Sequence, residues 1–339
     1  MKLKNGIKNF FRENYKLIII FIITFIIVNF RLPYYVFTGG GITDLSNRFE
    51  LSSSYDQEGS YNLSYVNQMD GNILTYLLSY IIPDWERVEV GDYQVNENES
   101  IEELMIRDKL SLTHANQTAI ITAYTKAGKE IKYKSHEYYV YATYDFFESD
   151  KHVKIGDILV GVDGNEINDI EDITNYIQGK NINDYIDLTL KRNDEKYTTR
   201  VKISEKNGRK VIGILFFNIY DMETDPEIVF KFRDSESGSS AGLMTTLAIY
   251  DALIPEDLTH GLKIAGTGTI EANEDIGEIG GIKYKLAGAE RDDADIFFAP
   301  SGENYEEAIK IKEKRGYKIK VIEVKKFDDA INYLKNIKG

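Results

Sequence analysis

The sequence predicts a multidomain chain with an N-terminal transmembrane helix, a β-rich middle and a C-terminal α/β domain. Three observations predict it. A basic flank runs into a nearly continuous apolar stretch at residues 17–30. Short strand-like segments punctuated by turn residues fill 136–206. From residue 210 onward, strand and helix patterns alternate.

The N-terminal segment comes first. Lys2, Lys4, Lys8, Arg12 and Lys16 outweigh Glu13 ahead of the apolar run. No small-residue cleavage site follows the run, so an uncleaved anchor at 1–38 is expected rather than a signal peptide. The basic flank places the N-terminus in the cytoplasm and the body outside the cell. A connecting region at 39–135 is expected to follow. In it 61–66 reads as a strand, 73–82 as a buried helix or strand, and 100–129 as a helix.

Residues 136–206 resemble a bacterial PDZ domain, a β-rich, partly open barrel with helices. The strand pattern at 138–144 precedes a Gly156-Asp157 turn, which leads into a strand ending at Asp163-Gly164. A helix at 170–177 and strands at 185–192 and 198–203 complete the pattern. Such a domain binds an extended peptide along a sheet edge beside a helix. The groove is expected between strand 138–144 and helix 170–177.

The last domain, 207–339, carries the chemistry. Gly238-Ser239-Ser240-Ala241-Gly242 is a small-residue turn ahead of a helix. Thr267-Gly268 and Gly280-Gly281-Ile282-Lys283-Tyr284-Lys285 follow. A serine needs a base to take its proton. A lysine serves only if burial or a helix start lowers its pKa. A helix over 285–291 would give Lys285 both. Of four histidines, His260 alone follows Ser240, which leaves an esterase or amidase using Ser240 and His260 as an alternative.

These motifs together resemble the proteolytic domain of Lon proteases. With the anchor and the PDZ pattern, the chain resembles membrane-anchored PDZ-containing Lon-like serine proteases, the SepM/YlbL type. The resemblance implies Ser240 as nucleophile, Lys285 as base and Thr267 as the residue that supports the lysine. It implies a C-terminal α/β Lon-type proteolytic domain and allows a homo-oligomer. Ser239 stands where the family has proline. The acidic lead-in Asp234-Ser235-Glu236 replaces its glycine-rich approach. Lys283 is expected to face solvent.

The function that follows is an ATP-independent, membrane-anchored serine endopeptidase cleaving extracellular peptides or exposed protein segments. The alternative is a catalytically silent PDZ/Lon-like binding module for a membrane partner. No phosphate-loop motif appears, so no ATPase engine is expected. A formal net charge of -14 argues against nucleic-acid binding. With no cysteine there is no thiol chemistry. No metal or cofactor is expected, and the partners are peptide or protein substrates and the membrane.

Overall fold

The computed structural model describes residues 2–144, 147, 149–167 and 169–337. The chain divides into two compact units, Met1–Gly39 with Val66–Tyr93, and Gly40–Tyr65 with Gln94–Gly339. Its first elements are α1 (Lys2–Asn29), β1 (Arg31–Asp44), β2 (Phe49–Leu51), β3 (Ser60–Asn72), α2 (Ile73–Leu78), β4 (Glu86–Glu89) and α3 (Ile101–Ala127).

In the smaller unit, β1 and β4 pair antiparallel, from Tyr34 opposite Glu89 to Phe37 opposite Glu86. Asn72 opens α2 with a capping box shared with Thr75. The segment at 73–82 is helical at its start but not buried: Leu77 is 53% and Ile81 75% exposed. The expected transmembrane helix is also corrected. Among the described residues no helix is long and apolar enough to cross a membrane. Within α1 the apolar residues run from Leu17 to Val28, and at about 1.5 Å per residue they cover about 18 Å. A bilayer core is about 30 Å thick. Arg12, Glu13 and Lys16 stop the run from extending backwards.

In the larger unit, Ser100 starts α3 with a capping box to Glu103, and Gly128 ends it in the left-handed conformation. Next come β5 (Glu130–Thr143), β6 (Ile158–Val162), β7 (Asn165–Glu166), α4 (Ile170–Gln178), β8 (Tyr185–Arg192), β9 (Glu195–Lys202), β10 (Ser204–Lys206), β11 (Arg209–Val211) and β12 (Ile214–Asp225). A sheet of order β12-β5-β6-β8-β9 packs Val140, Leu188 and Leu190 against Ile173 and Ile177 of α4. The Gly-Asp turn has a clear cause. The buried Asp157 carboxylate accepts from the Lys154 amide at 2.7 Å, from Arg192 Nε at 2.6 Å and from the Tyr197 hydroxyl at 2.7 Å.

The expected groove position is corrected. β5 pairs with β12 along its length on one side. On the other side it meets β6 at Tyr138 and Tyr139, and Val140 exchanges backbone bonds with Gly156 and Asp157. The outer strands of the sheet are β12 and β9, each with one strand neighbour among the described residues. β12 lies C-terminal to the 136–206 segment, so the local strand–turn–strand phrase could not reveal it.

The remaining elements are β13 (Ile228–Phe230), α5 (Gly242–Leu253), β14 (Lys263–Gly266), β15 (Thr269–Ile270), β16 (Ile276–Gly277), α6 (Ile282–Arg291), β17 (Ile296–Pro300), α7 (Glu303–Arg315), β18 (Lys320–Val324) and α8 (Phe327–Lys335). The strand order is β18-β17-β14-β3-β1, and β18, β17, β14 and β3 are mutually parallel. A parallel sheet needs cover on both faces. One core cluster joins α5 and α8; a second joins Leu286 and Ala289 of α6 to Ala308 of α7 and to Phe297 and Val321.

The stretch expected as a connector is part of this core. Leu45, Tyr61 and Leu63, with Ala119, Ala123 and Tyr124 of α3, pack in one cluster with Leu243, Met244 and Leu247 of α5. β3 pairs with β14 from Ser60 opposite Lys263 to Leu63 opposite Gly266. Gly40 and Gly41 sit mid-strand in β1 rather than in a linker.

Candidate active site

Every residue of α5 is buried, and the helix begins where the small-residue turn ends. Gly238 has φ +85°, a conformation glycine adopts without cost. Ala241, not a serine, occupies the N-cap and makes no side-chain cap bond. Ser239 and Ser240 therefore do not serve as capping residues. Gly242 lets the helix approach the neighbouring strand closely: a Cβ there would come within 2.9 Å of the Ile270 amide nitrogen.

Thr267 follows β14 and is fully buried. Its hydroxyl donates to the backbone carbonyl of Ser240 at 3.0 Å, and the Gly268 amide reaches the same oxygen at 2.9 Å. Two consecutive residues of the Thr-Gly step thus hold the serine by its carbonyl. The Lys285 Nζ donates to the Thr267 hydroxyl at 3.1 Å. The three residues singled out from the sequence are joined through Thr267. Among the described residues, no hydrogen bond links the Ser240 hydroxyl itself to Lys285.

Lys285 is 4% exposed, and burial pushes its pKa down to about 7. α6 starts at Ile282, three residues before the expected helix, because Gly281 takes the left-handed N-cap conformation at φ 73°. Lys285 still lies in the first turn, where the positive helix end disfavours an added proton. Lys283 is half-buried rather than solvent-facing, its amine 4.6 Å from the Tyr284 ring centre. His260 is engaged elsewhere, with Nε2 3.0 Å from the Leu334 carbonyl.

The backbone amides of Ser240 and Ala241 make no hydrogen bond among the described residues, while Gly242 and Leu243 donate to Ser239 and Gly268. Free amides beside a serine at a helix start are suited to a developing oxyanion. A cleft of about 770 Å³ includes Leu262, Asp295, Lys320 and Tyr333 in its lining and none of Ser240, Thr267 or Lys285. No cluster of potential metal ligands occurs among the described residues.

Two segments of the chain match known domain families. Residues 142–203 match the PDZ domain family model. Residues 234–336 match the Lon protease (S16) C-terminal proteolytic domain, which contains the turn, Thr267 and Lys285. No curated protein matches the chain. Among solved structures, the chain is similar to the PDZ domain of an SdrC-like protein from Listeria monocytogenes, at 24% identity and a TM-score of 0.24 over 25% of this chain and 92% of that one. It is also similar to the PDZ domain of an SdrC-like protein from Listeria innocua, at 22% identity and a TM-score of 0.23 over 24% of this chain and 92% of that one. The chain thus joins a PDZ domain to a Lon-type S16 proteolytic domain and matches a PDZ-containing Lon-like protease.

Proposed function

We propose that the protein is an ATP-independent serine endopeptidase in which Ser240 is the nucleophile and Lys285 the general base. The observation that carries this reading is the buried Lys285–Thr267–Ser240 chain of contacts. With its pKa near 7, Lys285 has a large neutral fraction at physiological pH. Its lone pair can take the Ser240 proton as the oxygen attacks the scissile carbonyl. The Ser240 and Ala241 amides then receive the oxyanion. Lys285 returns the proton to the leaving amine, and water hydrolyses the acyl-enzyme. Thr267 orients the amine while its own proton stays on the Ser240 carbonyl.

On this reading peptides reach the enzyme through the PDZ sheet by pairing with the open edge of β12. Gln117 of α3 limits that edge. Its side-chain amide donates to the Tyr220 carbonyl at 2.9 Å and accepts from the Tyr220 amide at 3.1 Å, as an added strand would. A peptide would therefore pair along residues 214–218 and leave the strand before Tyr220.

The body is proposed to work outside the cell, attached to the membrane through the exposed apolar face of α1, where Leu17, Phe21 and Phe25 are each more than half exposed. The protein is further proposed to assemble with copies of itself. A serine-directed fluorophosphonate tests the central claim. Labelling lost in Ser240→Ala and kept in Ser239→Ala supports it; absence of labelling in the wild type favours the silent binding module.

A further inference from the structure

The acidic lead-in to the nucleophile turn finds its partners outside the proteolytic match. Residues 231–241 form no strand or helix of their own, yet they are tied down at successive points. The Glu236 carboxylate accepts from Arg48 Nε at 2.9 Å and Nη2 at 2.6 Å, and Arg48 is 6% exposed. The same carboxylate accepts from the Arg233 amide at 2.7 Å. Lys109 of α3 then donates to two backbone carbonyls, those of Asp234 and Glu236, the latter at 2.8 Å. One residue earlier on α3, the Asp108 carbonyl accepts from the Gly238 amide at 3.1 Å. Gly238 lies two residues before Ser240.

We propose that Lys109 is a positioning residue for the nucleophile, holding the 234–238 loop so that Ser240 is presented to Lys285. This rests on the protease reading above. A single ammonium bonded to carbonyls two residues apart forces both to point the same way, which sets the direction in which the chain enters the Gly238 turn. A glycine-rich approach would leave that direction to be chosen on binding. The acidic approach with its cationic clamps chooses it beforehand, and an error of about 1 Å in such placement costs a reaction on the order of a hundredfold. Lys109 touches no substrate atom in this role. It acts through the loop backbone, so it is expected to change the rate of acylation and not the ionisation of the base.

The test uses the full-length protein. Acylation by a fluorophosphonate probe and hydrolysis of an unstructured fluorogenic peptide are measured for wild type, Lys109→Met and Lys109→Arg. Hydrogen exchange is followed at the Gly238 amide. Lys109→Met is expected to lower kcat and the acylation rate by about tenfold or more. KM and the midpoint of the pH profile stay where they are, and Gly238 exchanges faster. Lys109→Arg, which keeps the donors, recovers most of the rate. Wild-type acylation with unchanged exchange in Lys109→Met overturns the proposal, and so does a shift of the pH midpoint in place of a fall in rate. A wild type that never reacts with the probe removes the protease reading instead. In that case the exchange rate at Gly238 still decides whether Lys109 holds the loop: faster exchange in Lys109→Met keeps the clamp, and unchanged exchange removes it.

Discussion

The two ends of α5 make the same physical move with opposite groups. Near its start, Lys285 of α6 is buried against Thr267 and its pKa falls to about 7. At its end, Asp251 is 1% exposed, and burial raises its pKa to about 7. Desolvation disfavours the charged form of each, so a base and an acid arrive at one value from opposite sides. The surroundings differ. Lys285 has a hydroxyl partner, a serine carried on a small-residue turn and free amides nearby. The Asp251 Oδ1 accepts from the Leu258 amide at 2.9 Å, but its Oδ2 has no partner. The Tyr61 hydroxyl beside it is pushed up first by its own burial and then by the carboxylate. A perturbed pKa marks a functional site only when reactive groups converge on it. At Asp251 the perturbation is a cost of packing α5 into the core.

The largest expected effect lies at the lysine. Lys285→Arg keeps the charge but cannot deprotonate in this range, so peptide hydrolysis falls by about a hundredfold or more. Lys283→Arg retains activity. Steady-state kinetics on both variants decide it, and substantial activity in Lys285→Arg would end the general-base assignment.

The pH profile is the next largest effect. The base must be neutral to act, so kcat/KM rises with pH through about 7 and falls about tenfold for each unit below that midpoint. Asp251→Asn should leave this limb in place. A limb that moved with Asp251 would show that the two ends of the helix are not independent.

Thr267→Val removes the hydroxyl that holds both Lys285 and the Ser240 carbonyl. It should lower kcat by about tenfold, since it disturbs orientation and leaves the base in place. Unchanged kcat would mean that packing alone orients the amine.

Stability gives the smallest effect and the sharpest contrast. Lys285 has a folded pKa below its ordinary 10.5, so the folded state loses stability as pH falls from that value to about 7. Lys285→Met relieves this penalty fully below pH 7 and not at all above about 10.5. Asp251 has a folded pKa above its ordinary 3.8, so its penalty grows as pH rises from 3.8 to about 7. Asp251→Asn relieves it above pH 7 and not below about 3.8. Each gain is a few degrees in Tm, on the order of a few kcal/mol at most. Thermal unfolding at pH 6 and pH 9 should rank the two variants in opposite order relative to wild type. The same order at both pH values would refute the account of opposed desolvation.

Some of this was legible along the chain and some was not. The motifs and the resemblance they carry singled out Ser240, Thr267 and Lys285, and the fold links Lys285 to Thr267 and Thr267 to the Ser240 carbonyl. The alternating pattern placed β8 at its observed bounds. The start of α6 was misplaced by three residues, because a left-handed Gly281 can open a helix that the pattern alone starts later. The span across a membrane was expected from hydropathy, yet the charges within α1 leave its apolar part too short.

By itself, then, the sequence determined most of the local elements and the PDZ and Lon-type segments, since each depends on residues a short distance apart. Tertiary structure alone decided which strands neighbour one another. It put β3 beside β14 across some two hundred residues, gave β5 strand neighbours on both sides, and set α3 against α5 with Lys109 bonded to the loop before Ser240. It also decided that Lys285 and Asp251 are dehydrated. Pairing partners and burial depend on contacts between distant segments, and no local pattern of polar and apolar residues encodes which distant segment will arrive.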